Sequence, residues 1–212
     1  MFMKERNVIV DYCKLLMTRG LTKGTGGNIS IFNRESGLMI ISPSGIDYAR
    51  MTPEDIVVCD LQGNIVEGER NPSSEYPMHA IFYQKRTDIN AIVHTHSLNA
   101  TVLASLRCSL PAVSYLVAYA GKDVRCAEYA SFGTPELAEN AYKAMEDRYA
   151  VLLANHGLLA GAGNLATAFD IAEQIEFCCE VYLKSKSIGE PAILEDAEME
   201  RMAERFKTYG QK

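Results

Sequence analysis

The sequence predicts one α/β domain over residues 1–212, a mixed sheet covered by helices. Three observations lead there. Hairpin signals fill the first third of the chain, and apolar strand-like runs alternate with helical periodicity after it. No repeat, low-complexity segment or linker interrupts the pattern. A chain of 212 residues also buries a sizeable core without disulfides.

Each element has its own signal. Residues 3–19 carry Ile9, Tyr12, Leu15 and Leu16 near helical spacing, with Gly20 as the stop. The runs GNISIFN and LMIIS flank RESG and predict a hairpin. In MTPEDI, Thr52 is an N-cap and Pro53 a first helical residue, so a short helical turn follows. IVVCDLQGNIVEG predicts a second hairpin around Gln62-Gly63-Asn64. SSEYPMHAIFYQKR predicts a helix, since Pro77 is tolerated in a first turn. INAIVHT is a buried strand, and SLNATVLASL the helix after it. TPELAENAYKAMED begins with another Thr-Pro cap and is strongly helical. YAVLLANHGLLAGAG predicts two short buried strands turning at His156-Gly157. Residues 164–187 predict a long helix and residues 195–207 a shorter one.

Composition narrows the functional classes. The chain is 48% hydrophobic and 23% charged, the profile of an ordinary soluble globular protein. A net charge of −6 argues against nucleic acid or an anionic membrane as the main partner. It leaves room for a small anionic substrate in one locally positive pocket. The six cysteines (13, 59, 108, 126, 178 and 179) form no CxxC pair, so a reducing cytoplasm is expected rather than a disulfide framework. MFMKERNVIVDYCKLL carries charges too early for a signal peptide. No apolar run approaches bilayer length.

The chain has only four histidines, and two of them share the stretch INAIVHTHSLNA. Residues i and i+2 of a strand face the same way, so His94 and His96 project together from a strand end. Such a pair grips a metal, or simply ends a strand with satisfied polar groups. His156, at the turn in LLANHGLLA, adds a third imidazole, although a lone histidine there is more often structural. Glu75 and His79 stand four apart in SSEYPMHA and are expected on one helix face. Glu75 supplies a carboxylate, and His79 is expected behind the ligands or in a structural role. Three histidines and a carboxylate make a suitable zinc shell, and the combination says more than any single motif.

Three loops suggest an anion. KGTGGNIS contains Gly24, Gly26, Gly27 and Asn28, SPSGIDY contains Ser44 and Gly45, and NPSSEYP places Ser73 and Ser74 at a helix N-terminus. Each alone is an ordinary turn, and none is a P-loop or a dinucleotide fingerprint. Ser73 and Ser74 differ because they abut Glu75, so a phosphate held there would bring its carbon chain toward the metal.

With PAVSY, YASFGTPEL and FKTYG, these segments resemble the class II aldolase and adducin family of zinc sugar-phosphate enzymes, nearest its fuculose-phosphate branch. The resemblance runs nearly end to end. It implies a largely antiparallel mixed central sheet between helical layers. It implies one Zn2+ per subunit on His94, His96 and His156, with Glu75 as fourth ligand in the resting enzyme. It implies a phosphate site made by Gly27, Asn28, Ser44, Gly45, Ser73 and Ser74. It further implies Tyr115 from a neighbouring subunit as acid, Phe132, Phe206 and Tyr209 on the aldehyde side, and a homotetramer with intersubunit sites. The reaction implied is reversible cleavage of L-fuculose 1-phosphate, or a close ketose 1-phosphate, to dihydroxyacetone phosphate and L-lactaldehyde.

Aldol cleavage leaves an enediolate, which a Lewis-acid metal or a lysine imine must stabilise. The lysines sit in polar runs such as YQKR, LKSKS and RFKTYG, so the imine route has no candidate. Glu75 is the expected base, whereas the local context of Tyr115 alone reads as an ordinary interface tyrosine. The alternatives are a pentulose-phosphate 4-epimerase, whose branch carries aspartate where Glu75 stands, a 5-deoxypentulose-phosphate aldolase or dehydratase, and a non-catalytic assembly module. In the tail, Phe206 and Tyr209 are three apart and expected on one helical face, with Gly210 ending the helix.

Overall fold

Eight strands form one sheet, and the alternation of side chains along them sorts the core into two faces. The structure, a computed structural model, describes residues 1–209. The strands are β1 (Asn28–Asn33), β2 (Leu38–Ile41), β3 (Val57–Cys59), β4 (Ile65–Glu67), β5 (Ala91–Thr95), β6 (Cys126–Ala127), β7 (Ala150–Leu153) and β8 (Gly157–Ala162). Their order is β4-β3-β2-β1-β5-β8-β7-β6. Only β6 and β7 run parallel, and every other neighbouring pair is antiparallel. The helices are α1 (Met3–Thr18), α2 (Tyr76–Lys85), α3 (Leu98–Ser105), α4 (Pro135–Ala144), α5 (Leu165–Ile188) and α6 (Asp196–Phe206).

Ile29, Ile40, Val58, Ala91 and Val93 bury one face of the sheet in a core with Ile9, Leu16, Leu103 and Ile175 from α1, α3 and α5. Phe32, Met39, Ile41, Val57 and Ile92 bury the other face with Phe82 from α2 and Leu137 and Ala141 from α4. Both faces are covered, which is why β5, β7 and β8 are buried at every position, with β7 and β8 apolar throughout and β5 apolar up to His94. The mixed, largely antiparallel sheet between helical layers is the expected architecture.

Local chemistry sets the boundaries. Gly20 N–H donates to Met17 O at 3.1 Å and Leu21 N–H to Leu16 O at 2.8 Å, closing the end of α1. Thr134 Oγ1 accepts from Leu137 N at 3.2 Å to start α4, and Asn164 Oδ1 from Thr167 N at 2.9 Å to start α5. Thr52 and Asp55 form a capping box over the 3-10 turn Pro53–Asp55.

Two local expectations need correction. Glu75 lies at the N-cap of α2, outside the helix that holds His79, so the two share no helical face. α6 ends at Phe206, where the chain tightens into i→i+3 bonds such as Thr208 N–H to Arg205 O at 3.2 Å. Tyr209 therefore lies beyond the helix and is 80% exposed, while Gly210 is outside the described residues. The two-residue strand β6 and a 3-10 turn at Tyr115–Tyr119 were not expected: β6 is too short to show a period, and the apolar run YLVAY has no helix or strand period of its own. Among the described residues all six cysteines are free thiols, and no helix is long and apolar enough to cross a membrane.

Candidate metal centre

Strand alternation aims the first two histidines. Ile92 belongs to the core under α2 and α4, so His94, two residues on, turns to the same layer. Asn28 on β1 is its cross-strand partner. His96 follows just past the end of β5. The turn between β7 and β8 delivers His156: Asn155 takes a left-handed conformation at φ 55°, and His156 N–H donates to Leu153 O at 3.0 Å. Glu75 arrives from the start of α2, which lies over this face.

The four side chains converge on one point. His94 Nε2 lies 3.0 Å from His96 Nε2 and 3.2 Å from His156 Nε2. Glu75 Oε2 is 3.3 Å from His94 Nε2, and Glu75 Oε1 is 3.4 Å from His156 Nε2. One ligand atom from each of the four residues lies within 4.8 Å of the others. His94 Nδ1–H donates to Leu158 O at 2.9 Å, which fixes the tautomer that leaves Nε2 bare.

Burial, reinforced by the neighbouring imidazoles, pushes His96 down to about 3 and His156 down to about 4, so both are neutral near pH 7. Burial also works against charge on His94 and on Glu75. Against that burial, the carboxylate raises His94, while His94, His156 and Asn28 hold Glu75 well below the usual carboxylate range.

This donor set fits a divalent metal. Tetrahedral ligands at ~2.0–2.1 Å stand about 3.3 Å apart, close to the spacings here. Glu75 Oε1 is buried with no hydrogen-bond partner, an atom that needs a cation or a proton donor. Bare Nε2 atoms facing each other at 3.0 Å make the same demand.

The cluster floors a cavity of about 400 Å³. Gly27, Asn28, Ser44, Gly45, Ser73 and Ser74 all line it, as does Phe132. Cross-links hold its loops together: Ser74 N–H donates to Ser44 Oγ at 2.9 Å, and Ser73 N–H to Ser42 O at 3.1 Å. Two glycines let the first loop approach the metal ligands. A Cβ on Gly27, whose φ is +77°, would sit 2.6 Å from His94 O, and one on Gly26 would sit 2.5 Å from His96 Nδ1. No lysine or arginine of the described residues lines the cavity, so an anion there meets N–H groups, hydroxyls and an amide.

The sequence reading missed Thr25, Tyr129 and Asn155, which also line the cavity. Thr25 and Asn155 are sequence neighbours of residues already singled out, and that adjacency was the available signal. Tyr115, Phe206 and Tyr209 are not brought to this cavity. They line a separate one of about 630 Å³ with Tyr119 and Met202. There Phe206 stacks on Tyr119 with ring centroids 4.1 Å apart. His79 is also outside the cluster: its Nε2 meets Asn28 Oδ1 at 2.5 Å and its Nδ1 meets Ser30 Oγ at 2.6 Å.

A family model described as Class II Aldolase and Adducin N-terminal domain matches residues 7–183. The chain is 60% identical over 208 residues to the 5-deoxy-D-ribulose 1-phosphate aldolase of Bacillus thuringiensis serovar kurstaki, covering 98% of each. It is 41% identical over 204 residues to the L-fuculose phosphate aldolase of Escherichia coli, covering 95% of this chain and 94% of that one. A solved structure named L-fuculose 1-phosphate aldolase superposes with a TM-score of 0.94 at 59% identity, covering 96% of each chain.

Proposed function

We propose, from the premise that the chain belongs to the class II aldolase and adducin family and is a metal-dependent aldehyde-lyase, that it cleaves 5-deoxy-D-ribulose 1-phosphate to dihydroxyacetone phosphate and acetaldehyde. The observation that carries this substrate is the 60% identity, over nearly the whole of both chains, to a relative named for it. The reading differs from the expectation of L-fuculose 1-phosphate in the aldehyde alone. The fuculose compound stays as the second reading because a solved structure at 59% identity bears that name.

Zinc is the proposed metal, on His94, His96, His156 and Glu75, because three imidazoles and one carboxylate at tetrahedral spacing suit it. When bound, it supplies Lewis-acid stabilisation of the negative charge that develops at the ketose carbonyl. The chain's own groups do the rest. The loops at Gly27, Asn28, Ser44, Gly45, Ser73 and Ser74 hold the phosphate and orient the carbon chain. In the synthetic direction Glu75 takes a proton from the hydroxymethyl carbon beside the carbonyl. That carbon's electron pair bonds to the aldehyde carbon, and Tyr115 gives its proton to the aldehyde oxygen. Phe132, Phe206 and Tyr209 shape the space around the aldehyde.

Tyr115, Phe206 and Tyr209 line a different cavity from Glu75 within one chain, which supports their serving a neighbouring subunit's site in a homotetramer. The free thiols support the cytoplasm as compartment.

The test is kcat/KM on the two ketose 1-phosphates, with aldehyde identified and with chelator as control. A higher value on L-fuculose 1-phosphate would replace the first reading by the second. Activity that survives full metal removal would refute both.

A further inference from the structure

A line of buried polar groups runs from Glu75 away from the cavity into the core between β1 and α2. Asn28 Nδ2 donates to Glu75 Oε2 at 2.9 Å. Asn28 Oδ1 meets His79 Nε2 at 2.5 Å, His79 Nδ1 meets Ser30 Oγ at 2.6 Å, and Ser30 Oγ meets Tyr83 OH at 2.6 Å. Asn28, Ser30, His79 and Tyr83 are all at most 3% exposed. Asn28 and Ser30 share one face of β1, and His79 and Tyr83 stand one turn apart on α2, so the line stitches strand to helix.

Its direction is fixed by what each atom is able to donate. A carboxylate only accepts, so the Asn28 carboxamide must turn Nδ2 toward Glu75. Its Oδ1 then accepts, so His79 must carry its proton on Nε2. Nδ1 is left as an acceptor, and the single hydrogen of Ser30 Oγ must go to it. Tyr83 OH must therefore donate to Ser30 Oγ. The other histidine tautomer would set a lone pair against Asn28 Oδ1 at 2.5 Å. The carboxamide would then rotate and put an oxygen against Glu75. Packing alone does not call for this line, because apolar side chains fill a core without the need for matched partners.

We infer that Tyr83, Ser30 and His79 are positioning residues for the aldol reaction: their one-way hydrogen bonds hold the Asn28 carboxamide so that it ties down Oε2 of Glu75 and leaves Oε1 for the proton in transit. The inference rests on the reading of Glu75 as the base.

The experiment uses metal-loaded enzyme labelled with 15N-histidine. The chain has four histidines, and the His79 signals are assigned by their loss in His79→Gln. The expected spectrum shows His79 neutral with its proton on Nε2, the opposite tautomer to His94. Kinetics and metal content are measured for Ser30→Ala, Tyr83→Phe and Ser30→Thr in parallel. Ser30→Ala and Tyr83→Phe should lower kcat by ~10–100-fold, the scale of lost support behind a metal site. KM for the ketose phosphate and metal stoichiometry should hold, and Ser30→Thr, which keeps the hydroxyl, should recover most of kcat. A His79 proton on Nδ1, or unchanged kcat in both deletion variants, overturns the inference. The wild-type spectrum decides even if Ser30→Ala or Tyr83→Phe fails to fold. Full activity in Glu75→Gln would instead refute the functional reading, a different result from a wrong tautomer.

Discussion

Asn28 and Glu75 are bonded through one carboxylate oxygen only: Oε2 accepts from Asn28 Nδ2 at 2.9 Å, while the equally buried Oε1 has no hydrogen-bond partner. An asymmetric carboxylate of this kind has one oxygen for orientation and one for chemistry. Glu75→Gln keeps the size and removes the basicity. Turnover should fall by ~100-fold or more, the range for a lost general base. The check is kcat together with the rate of proton exchange at the carbon beside the carbonyl of dihydroxyacetone phosphate. A near-normal exchange rate would exclude Glu75 as the base.

Metal removal should abolish turnover and lower thermal stability together. The cation bonds the folded site and not the scattered ligands of the unfolded chain, so it stabilises by mass action. About one metal per subunit is expected, with zinc restoring activity after dialysis. His94→Ala should lose most of the metal. Full metal content and full activity in that variant would remove the assignment. Borohydride with substrate should leave no adduct.

Metal-free protein should lose stability as pH falls below the ordinary histidine range. His79 is pushed down to about 3 by burial, His96 to about 3 and His156 to about 4. Unfolded, each binds a proton near pH 6.5, so the unfolded state holds more protons between those values and gains on acidification. His79, wholly buried, contributes a slope of ~1.4 kcal/mol per pH unit there. His94, drawn upward by Glu75, opposes with one proton. Urea midpoints from pH 7 to pH 5 measure the sum, and a flat profile would contradict it.

Mixing two inactive variants tests the shared site. If Tyr115 serves a neighbour's Glu75, then Tyr115→Phe and Glu75→Gln subunits, denatured and refolded together, should form some sites with both residues intact. Activity of the mixture should exceed the average of the two parents. An average of the parents, from material that has demonstrably exchanged subunits, would place Tyr115 outside the site.

Gly27→Ala puts a Cβ 2.6 Å from the backbone oxygen of His94, at a φ of +77°. Backbone cannot yield as a flexible side chain does, so β1 and β5 must separate locally. Stability should drop by roughly 1–3 kcal/mol, and ketose-phosphate affinity should fall with it. Denaturant titration and inhibitor binding measure the two effects. A neutral result would show that the loop shifts freely.

Helix and strand content was legible because apolar periods and caps announced it: Thr134 does cap α4. The metal cluster was legible in part from His94 and His96, since alternation along a strand forces them to one face. His156 and Glu75 were candidates by their chemistry, three imidazoles and a carboxylate, but no local pattern marks the long-range pairing that brings them to the other two. The edge strand β6 was missed because two residues carry no period. The line behind Glu75 was invisible for another reason. Asn28, Ser30, His79 and Tyr83 come from a strand and a helix far apart in sequence, and no local pattern marks a hydrogen bond between them.

The sheet order has a consequence for how the protein comes into being. β1 joins β2 through a local turn, but its other neighbour is β5, with Asn28 opposite His94, and β5 in turn lies beside β8. Bringing His156 and Glu75 to the His94–His96 pair thus closes long stretches of chain, and such closures come slowly. His94 and His96 share one strand end, but His156 and Glu75 do not face them until β8 and the start of α2 have docked. Free zinc offered during refolding therefore finds at most a two-histidine grip at first. It should act late, locking a nearly finished sheet, and should slow unfolding far more than it hastens folding.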